Sequence, residues 1–181
     1  MDTYIRCVFC LTGSEHSIAY KIEAKTDAQV IVPKKIKPFH VNGKWIDREE
    51  MLMPGYMFVY SEREIPYNVL KRIEGVARVL TYGEEDKEGY LTGRDYEFAQ
   101  WVRRENGLID KLDAIQEGDF IRVTDGALQE MQGKVVAMNR RRHTVNVEVT
   151  LFGAKRNIWM GYEVIEKTEG GAGPDTKQPS A

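Results

Sequence analysis

The chain opens on YIRCVFC (residues 4–10), a run of branched, aromatic and other apolar side chains that predicts a strand. Thr12-Gly13-Ser14-Glu15 then has the Thr-x-x-Glu spacing of a capping box, so a helix should follow, with Ile18, Ala19 and Ile22 on one face. Val30 to Val32, before Pro33, reads as the next strand. Asn42-Gly43 tolerates the positive φ of a tight primed turn and joins KKIKPFHV to KWIDREE as a hairpin, expected to be an exposed arm. After Pro54-Gly55, YMFVY is a strand. Ile65-Pro66 opens a short helix carrying Val69, Leu70 and Ile73 on one face, with Gly75 as its stop. VARVLTY gives a further strand, and Leu91-Thr92-Gly93-Arg94-Asp95 caps a helix that buries Phe98, Ala99, Trp101 and Val102. Elements in this order form an antiparallel sheet with helices packed on it rather than a doubly wound parallel sheet.

The pattern changes after Asn106-Gly107. From Asp119 onward the chain consists of short strands and turns with almost no helical periodicity. Val145, Val147, Val149 and Leu151 alternate with polar neighbours, as in a half-buried strand, and turns at Asp125-Gly126, Asn139 to Arg142 and Gly153 suggest a barrel of about five strands. The expected fold class is α+β. An amino-terminal antiparallel sheet flanked by helices occupies residues 1–108, a linker 109–113, and a small five-stranded β-barrel 114–167. Residues 168–181 lack large apolar side chains, cannot repay their ordering entropy, and read as a disordered tail.

Composition narrows the function. At 181 residues and 42% hydrophobic, the chain can hold a mid-sized domain plus a small one. A net charge of −2 excludes a globally basic nucleic-acid coat, so any contact with phosphate must be local. No run approaches the roughly 18 apolar residues of a membrane span, and the polar start lacks a signal peptide. A cytoplasmic monomer with no membrane contact is expected. Cys7 and Cys10, three apart on a strand, project to opposite faces, which suits burial rather than redox pairing. His16, His40 and His143 lack metal-ligand spacings, and Glu49-Glu50 and Glu84-Glu85-Asp86 read as solvated turns. With no phosphate-cradling loop and no nucleophile turn, neither an enzyme nor a cofactor is expected.

Two local features rise above this background. Tyr56 and Phe58 in MPGYMF share a strand face, which Phe9 can join, and such a group is either core or a groove for a partner's helix. Arg140-Arg141-Arg142 and Lys155-Arg156 lie in two barrel loops, which on one end of a small barrel would converge on RNA phosphates.

These motifs resemble the NusG family over nearly the whole chain. The Thr12-Gly13-Ser14-Glu15 helix start and Met53-Pro54-Gly55-Tyr56-Met57-Phe58-Val59 are similar to the family's amino-terminal domain. EGDFIRVTDG (117–126), followed by Gln132-Gly133-Lys134-Val135-Val136 and Leu151-Phe152-Gly153, resembles its KOW barrel. Gly126 is expected to support a turn, and Gly133 a close backbone approach.

The resemblance implies that Phe9, Met53, Tyr56 and Phe58 line an apolar pocket for the clamp helices of RNA polymerase, with Met53 in place of the usual aromatic. The basic loops look like those of the specialised antiterminator subgroup called LoaP. That likeness implies recruitment by a nascent RNA hairpin through Arg140, Arg141, Arg142, Lys155 and Arg156. Phe152 is the family feature associated with a protein partner, so a general factor whose KOW domain binds Rho or a ribosomal protein is the first alternative. A ribosome-associated KOW RNA-binding protein is the second, disfavoured by the charge. Lys21 and Lys25, one helical turn apart, are expected to approach non-template DNA.

Overall fold

A computed structural model describes residues 3–168. Its first sheet has β1 (Tyr4–Cys10) at the centre, between β5 (Tyr56–Ser61) and β6 (Val76–Val79), with β2 (Gln29–Ile31) on the far side of β5. All three pairings are antiparallel. Strand alternation divides the apolar residues between two cores. Val8, Cys10, Met57 and Val59 pack under α1 (Glu15–Lys25) and α2 (Tyr67–Lys71), whereas Ile5, Cys7, Phe58 and Tyr60 face α3 (Gly93–Arg104). Both cysteines are free, buried and on opposite faces. The expected burial of Ile18, Ala19 and Ile22 on α1 and of Phe98, Ala99, Trp101 and Val102 on α3 is observed. On α2, only five residues long, Leu70 is buried, with Ile73 just beyond it, while Val69 is 38% exposed, because so short a helix turns a single narrow edge to the sheet.

The capping box expected at Thr12 does not form. Helix α1 starts at Glu15 with Ser14 as an N-cap whose side chain makes no capping bond. Glu15 instead accepts hydrogen bonds from the backbone N–H of Gly13 at 2.7 Å and of Gly55 at 2.9 Å, tying the Pro54-Gly55 turn to the helix start. Burial pushes this carboxyl up, but the backbone N–H groups of Glu15, Gly55 and Gly13 together hold it below its ordinary value. Gly55 is required there: its φ is +85°, and a Cβ would lie 2.8 Å from the Cys10 carbonyl oxygen.

The hairpin arm comprises β3 (Lys34–Val41) and β4 (Lys44–Met51), turning at Asn42-Gly43, where both residues have the positive φ that a primed turn needs. β7 (Leu108–Ile109) joins β3 in parallel. Although β4 is exposed, the arm is not free as expected. Pro38 on β3 is buried against Gly161, where a Cβ would come within 2.7 Å of Pro38 Cδ and 3.0 Å of the Ile36 carbonyl.

The carboxy-terminal sheet runs β10 (Lys134–Asn139), β11 (Thr144–Leu151), β12 (Ala154–Thr168), β8 (Leu112–Glu117), β9 (Phe120–Val123). Its outer strands β9 and β10 do not pair with each other, so the five strands curl without closing. Val145, Val147, Val149 and Leu151 fill its interior, as their alternation implied. One turn of helix, α4 (Ala127–Glu130), interrupts the strands. Gly133 has Val147 Cγ1 only 2.5 Å from where a Cβ would sit, the close approach its position suggested, whereas Gly126 has ordinary helical angles and open space. Of the segment 109–113, only Asp110 and Lys111 lie outside strands. Thr168 ends β12, and the rest of the tail expected at 168–181 lies outside the described residues.

Candidate functional site

Antiparallel register sets Phe9 opposite Tyr56, with ring centroids 4.9 Å apart. Phe58, two residues along β5 on the same face, is fully buried and packs 6.1 Å from the Phe98 ring. Met53 is also buried, and its carbonyl accepts from the Tyr56 N–H at 3.1 Å. The four residues expected to form the apolar pocket thus adjoin one another. Phe58 belongs to the core, while Phe9 and Tyr56 beside it are half-buried.

The turn between β11 and β12 lies against these aromatic rings. Strands β11 and β12 meet in a two-residue turn, with Leu151 paired to Ala154 and both Phe152 (φ 54°) and Gly153 (φ 73°) in the left-handed region. That conformation is uncommon for a phenylalanine. It lays the Phe152 ring parallel to Tyr56 at 6.1 Å and 7°, and 6.5 Å from Phe58. It also aims the Phe152 N–H at Asp95 Oδ1, 2.9 Å away. Asp95 Oδ2 accepts from the Tyr82 hydroxyl at 2.7 Å, and burial together with this bond pushes the Tyr82 phenol up to about 12. The Arg156 guanidinium lies 4.8 Å from the Tyr56 ring centroid and 5.8 Å from that of Phe152. At the rim, Arg104 pairs with Glu130 at 2.6 Å and Gln132 donates to Glu97 at 2.9 Å. The sequence places Asp95 in the capping segment of α3, yet the N-cap Thr92 makes no side-chain capping bond. From α3 its carboxylate ties the loop at Tyr82 to the Phe152 turn instead, a role with no local signal in the sequence.

The two basic loops do not converge as expected. Arg140–Arg142 form a 3-10 turn beside Thr144, whereas Lys155 and Arg156 start β12 opposite Thr150 and Val149. They lie toward opposite ends of the eight-residue β11, about 17–20 Å apart at the usual rise per residue. Arg140, Arg141 and Arg142 are exposed and form no ion pair among the described residues. Lys155 pairs with Glu148 at 2.9 Å, and Arg156 turns inward onto the aromatic pocket. On α1, Lys21 pairs with Glu74 at 3.1 Å and Lys25 is exposed.

A second contact joins the arm to the carboxy-terminal sheet at the Arg140 end. The Trp45 ring stacks on His143 at 4.5 Å and 21°, with the His40 ring edge-on 5.1 Å away. Lys111 Nζ bridges Asp47 of the arm at 2.7 Å and Glu163 of β12 at 3.6 Å. Bonding to Asp47 is the main cause raising the Lys111 ammonium above its ordinary value. Among the described residues no cluster of three or more His, Cys, Asp or Glu side chains could hold a metal, and no helix is long and apolar enough to cross a membrane.

A family model described as "NusG: Transcription termination factor nusG" matches residues 6–98. The transcription termination/antitermination protein NusG of Thermus thermophilus is 23% identical over 178 residues, covering 88% of this chain and 96% of that protein. The NusG protein of Pasteurella multocida is 24% identical over 143 residues, covering 77% of each chain. A solved structure described as "Domain interaction in Thermotoga maritima NusG" superposes with a TM-score of 0.50 at 18% identity, covering 89% of this chain and 94% of that one. The last likeness concerns the fold, α+β with a curled carboxy-terminal sheet; the family match spans half of the chain and holds both the Gly13/Glu15 helix start and the Tyr56/Phe58 strand, so the chain belongs to the NusG family.

Proposed function

We propose that the chain is a specialised elongation and antitermination factor that docks on the clamp helices of RNA polymerase and is recruited by a nascent RNA hairpin. Residues 1–108 and 114–167 act as two domains in this reading. The observation that carries it is the pocket of Phe9, Met53, Tyr56 and Phe58, closed by Phe152 and Asp95. An apolar groove satisfied within the chain, by an aromatic on a strained turn, is suited to exchange that aromatic for a partner's helix. Docking therefore requires the barrel to lift. The exposed, unpaired Arg140, Arg141 and Arg142 support RNA as the recruiting ligand.

The test is co-purification of the full chain with core RNA polymerase, comparing wild type with Tyr56→Ala. Tyr56 is half-buried, so the variant should fold, and truncating an interface anchor should weaken docking by about 1–4 kcal/mol. Undiminished polymerase binding by the folded variant rejects the site. For recruitment, the Arg140, Arg141 and Arg142 triple alanine variant should flatten the salt dependence of binding to the operon's leader hairpin, by about 0.7–0.9 in log-log slope per lost contact. A second reading, a general factor recruited by Rho or a ribosomal protein, is favoured by Phe152 standing on an exposed turn once the barrel lifts. Lys21 and Lys25 as a DNA strip remain part of the proposal, best supported at Lys25, which is exposed.

A further inference from the structure

We infer that the cleft between the hairpin arm and the barrel is a binding site for an unpaired nucleotide, with Trp45 and His143 as the stacking platform and Arg140 and Lys167 as phosphate ligands. The inference rests on the RNA-recruitment reading and gives that contact a chemistry of its own.

Four rings run in file across the boundary between arm and barrel. His40 meets Trp45 edge-on at 5.1 Å, Trp45 stacks on His143 at 4.5 Å, and His143 lies 6.2 Å from Tyr162. They border a cavity of about 540 Å³, whose lining includes Trp45, His143, Tyr162, Arg140, Lys111 and Lys167. Although His143 and His40 flank it, Trp45 stays 43% exposed and borders the opening. The acidic groups in the lining, Asp47 and Glu163, are both engaged by Lys111. Arg140 and Lys167 form no ion pair among the described residues and leave the cleft net positive. Aromatic rings interleaved with free cations are what single-stranded nucleic acid requires: bases stack and the backbone follows the charge. Paired RNA hides its base faces, so the cleft selects a loop, bulge or unpaired strand. Arg141 and Arg142, just outside, are placed for the neighbouring phosphates.

The test uses the full chain and three labelled probes of equal charge: a ribo-oligoadenylate, the same deoxyribo-oligomer, and a blunt RNA duplex. Stacking of one base corresponds to roughly five- to 150-fold in affinity. Trp45→Ala should therefore weaken the oligoadenylate by at least fivefold and leave its salt slope unchanged. Trp45→Phe, which keeps a ring, should retain most of the affinity, while Arg140→Gln with Lys167→Gln should flatten the slope by about 1.4. Duplex binding should not respond to Trp45→Ala. A ring-dependent preference for the ribo-oligomer assigns the site to the transcript, and a preference for the deoxyribo-oligomer to displaced DNA. Equal oligoadenylate binding by wild type and folded Trp45→Ala overturns the inference, as does an equal loss on the duplex. If the leader hairpin still binds through Arg140, Arg141 and Arg142 in that case, recruitment by RNA survives and only the stacking site falls.

Discussion

Phe152→Ala should shift the factor from its closed toward an open form, and the structure sets the size of the effect. The ring is half-buried over Tyr56 and Phe58. Full burial of a phenylalanine contributes about 1.5–3 kcal/mol, so half contributes about 1. Aromatic geometry adds about 0.5–1.5 kcal/mol. The hydrogen bond to Asp95 comes from the backbone N–H and survives the truncation, so it stays out of the sum. The total, about 2 kcal/mol, raises the ratio of open to closed protein roughly 30-fold. Where the closed form dominates, apparent affinity for polymerase rises by the same factor, because only the open fraction binds. The assay is a titration of core polymerase with the full chain, alongside resonance energy transfer between labels on the arm and on α4. An unchanged polymerase affinity, with the energy-transfer signal also unchanged, would refute the reasoning that Phe152 holds the pocket shut.

Glu15→Gln should lower thermal stability near neutral pH, by about 1.5–3 kcal/mol for weakened bonds from the Gly13 and Gly55 N–H groups. Because the folded carboxyl sits below its ordinary value of 4.5, its contribution is present above that pH and is lost as pH falls through the folded value. The gap between variant and wild type in a melting-temperature series should therefore close at acid pH; a gap constant with pH would contradict the clamp. Gly133→Ala should destabilise the barrel by about 1–3 kcal/mol, since its Cβ meets Val147 at 2.5 Å, and chemical denaturation reads this directly. Phe58→Ala, unlike Tyr56→Ala, should cost about 3–5 kcal/mol of fold stability, because Phe58 is fully buried in the core.

Much of the fold was legible because local chemistry and tertiary structure agree. Asn42-Gly43 turns the arm as its dihedral preferences require, and the alternation from Val145 to Leu151 faces the barrel core. The shared face of Tyr56 and Phe58 was legible for the same reason: two residues apart on a strand is a statement about faces. Val69 was not, because helical spacing says which residues share a side but not how wide a side the sheet will cover.

Two of the misread residues share a physical cause. Glu15 and Asp95 both stand at helix starts, where a carboxylate is welcome for local reasons alone, and a sufficient local explanation conceals a distant bond to Gly55 or Phe152. The loop arginines fail differently. Sequence shows two basic clusters flanking one strand, but a strand of eight residues is also a spacer, and it sends them to opposite ends. That separation divides their work. Arg156 reaches Tyr56 and Phe152, where its charge sits against rings that a docking helix would have to claim. Arg140 stands beside the Trp45 and His143 stack, open to solvent. One barrel hairpin thus touches the pocket with its turn and the arm with its base. In the proposed reading a ligand at the Arg140 end would meet both the arm contact of Trp45 and Lys111 and the β11–β12 hairpin that leads to Phe152, and a change in polymerase affinity on adding the leader hairpin is the measure of coupling between the two ends.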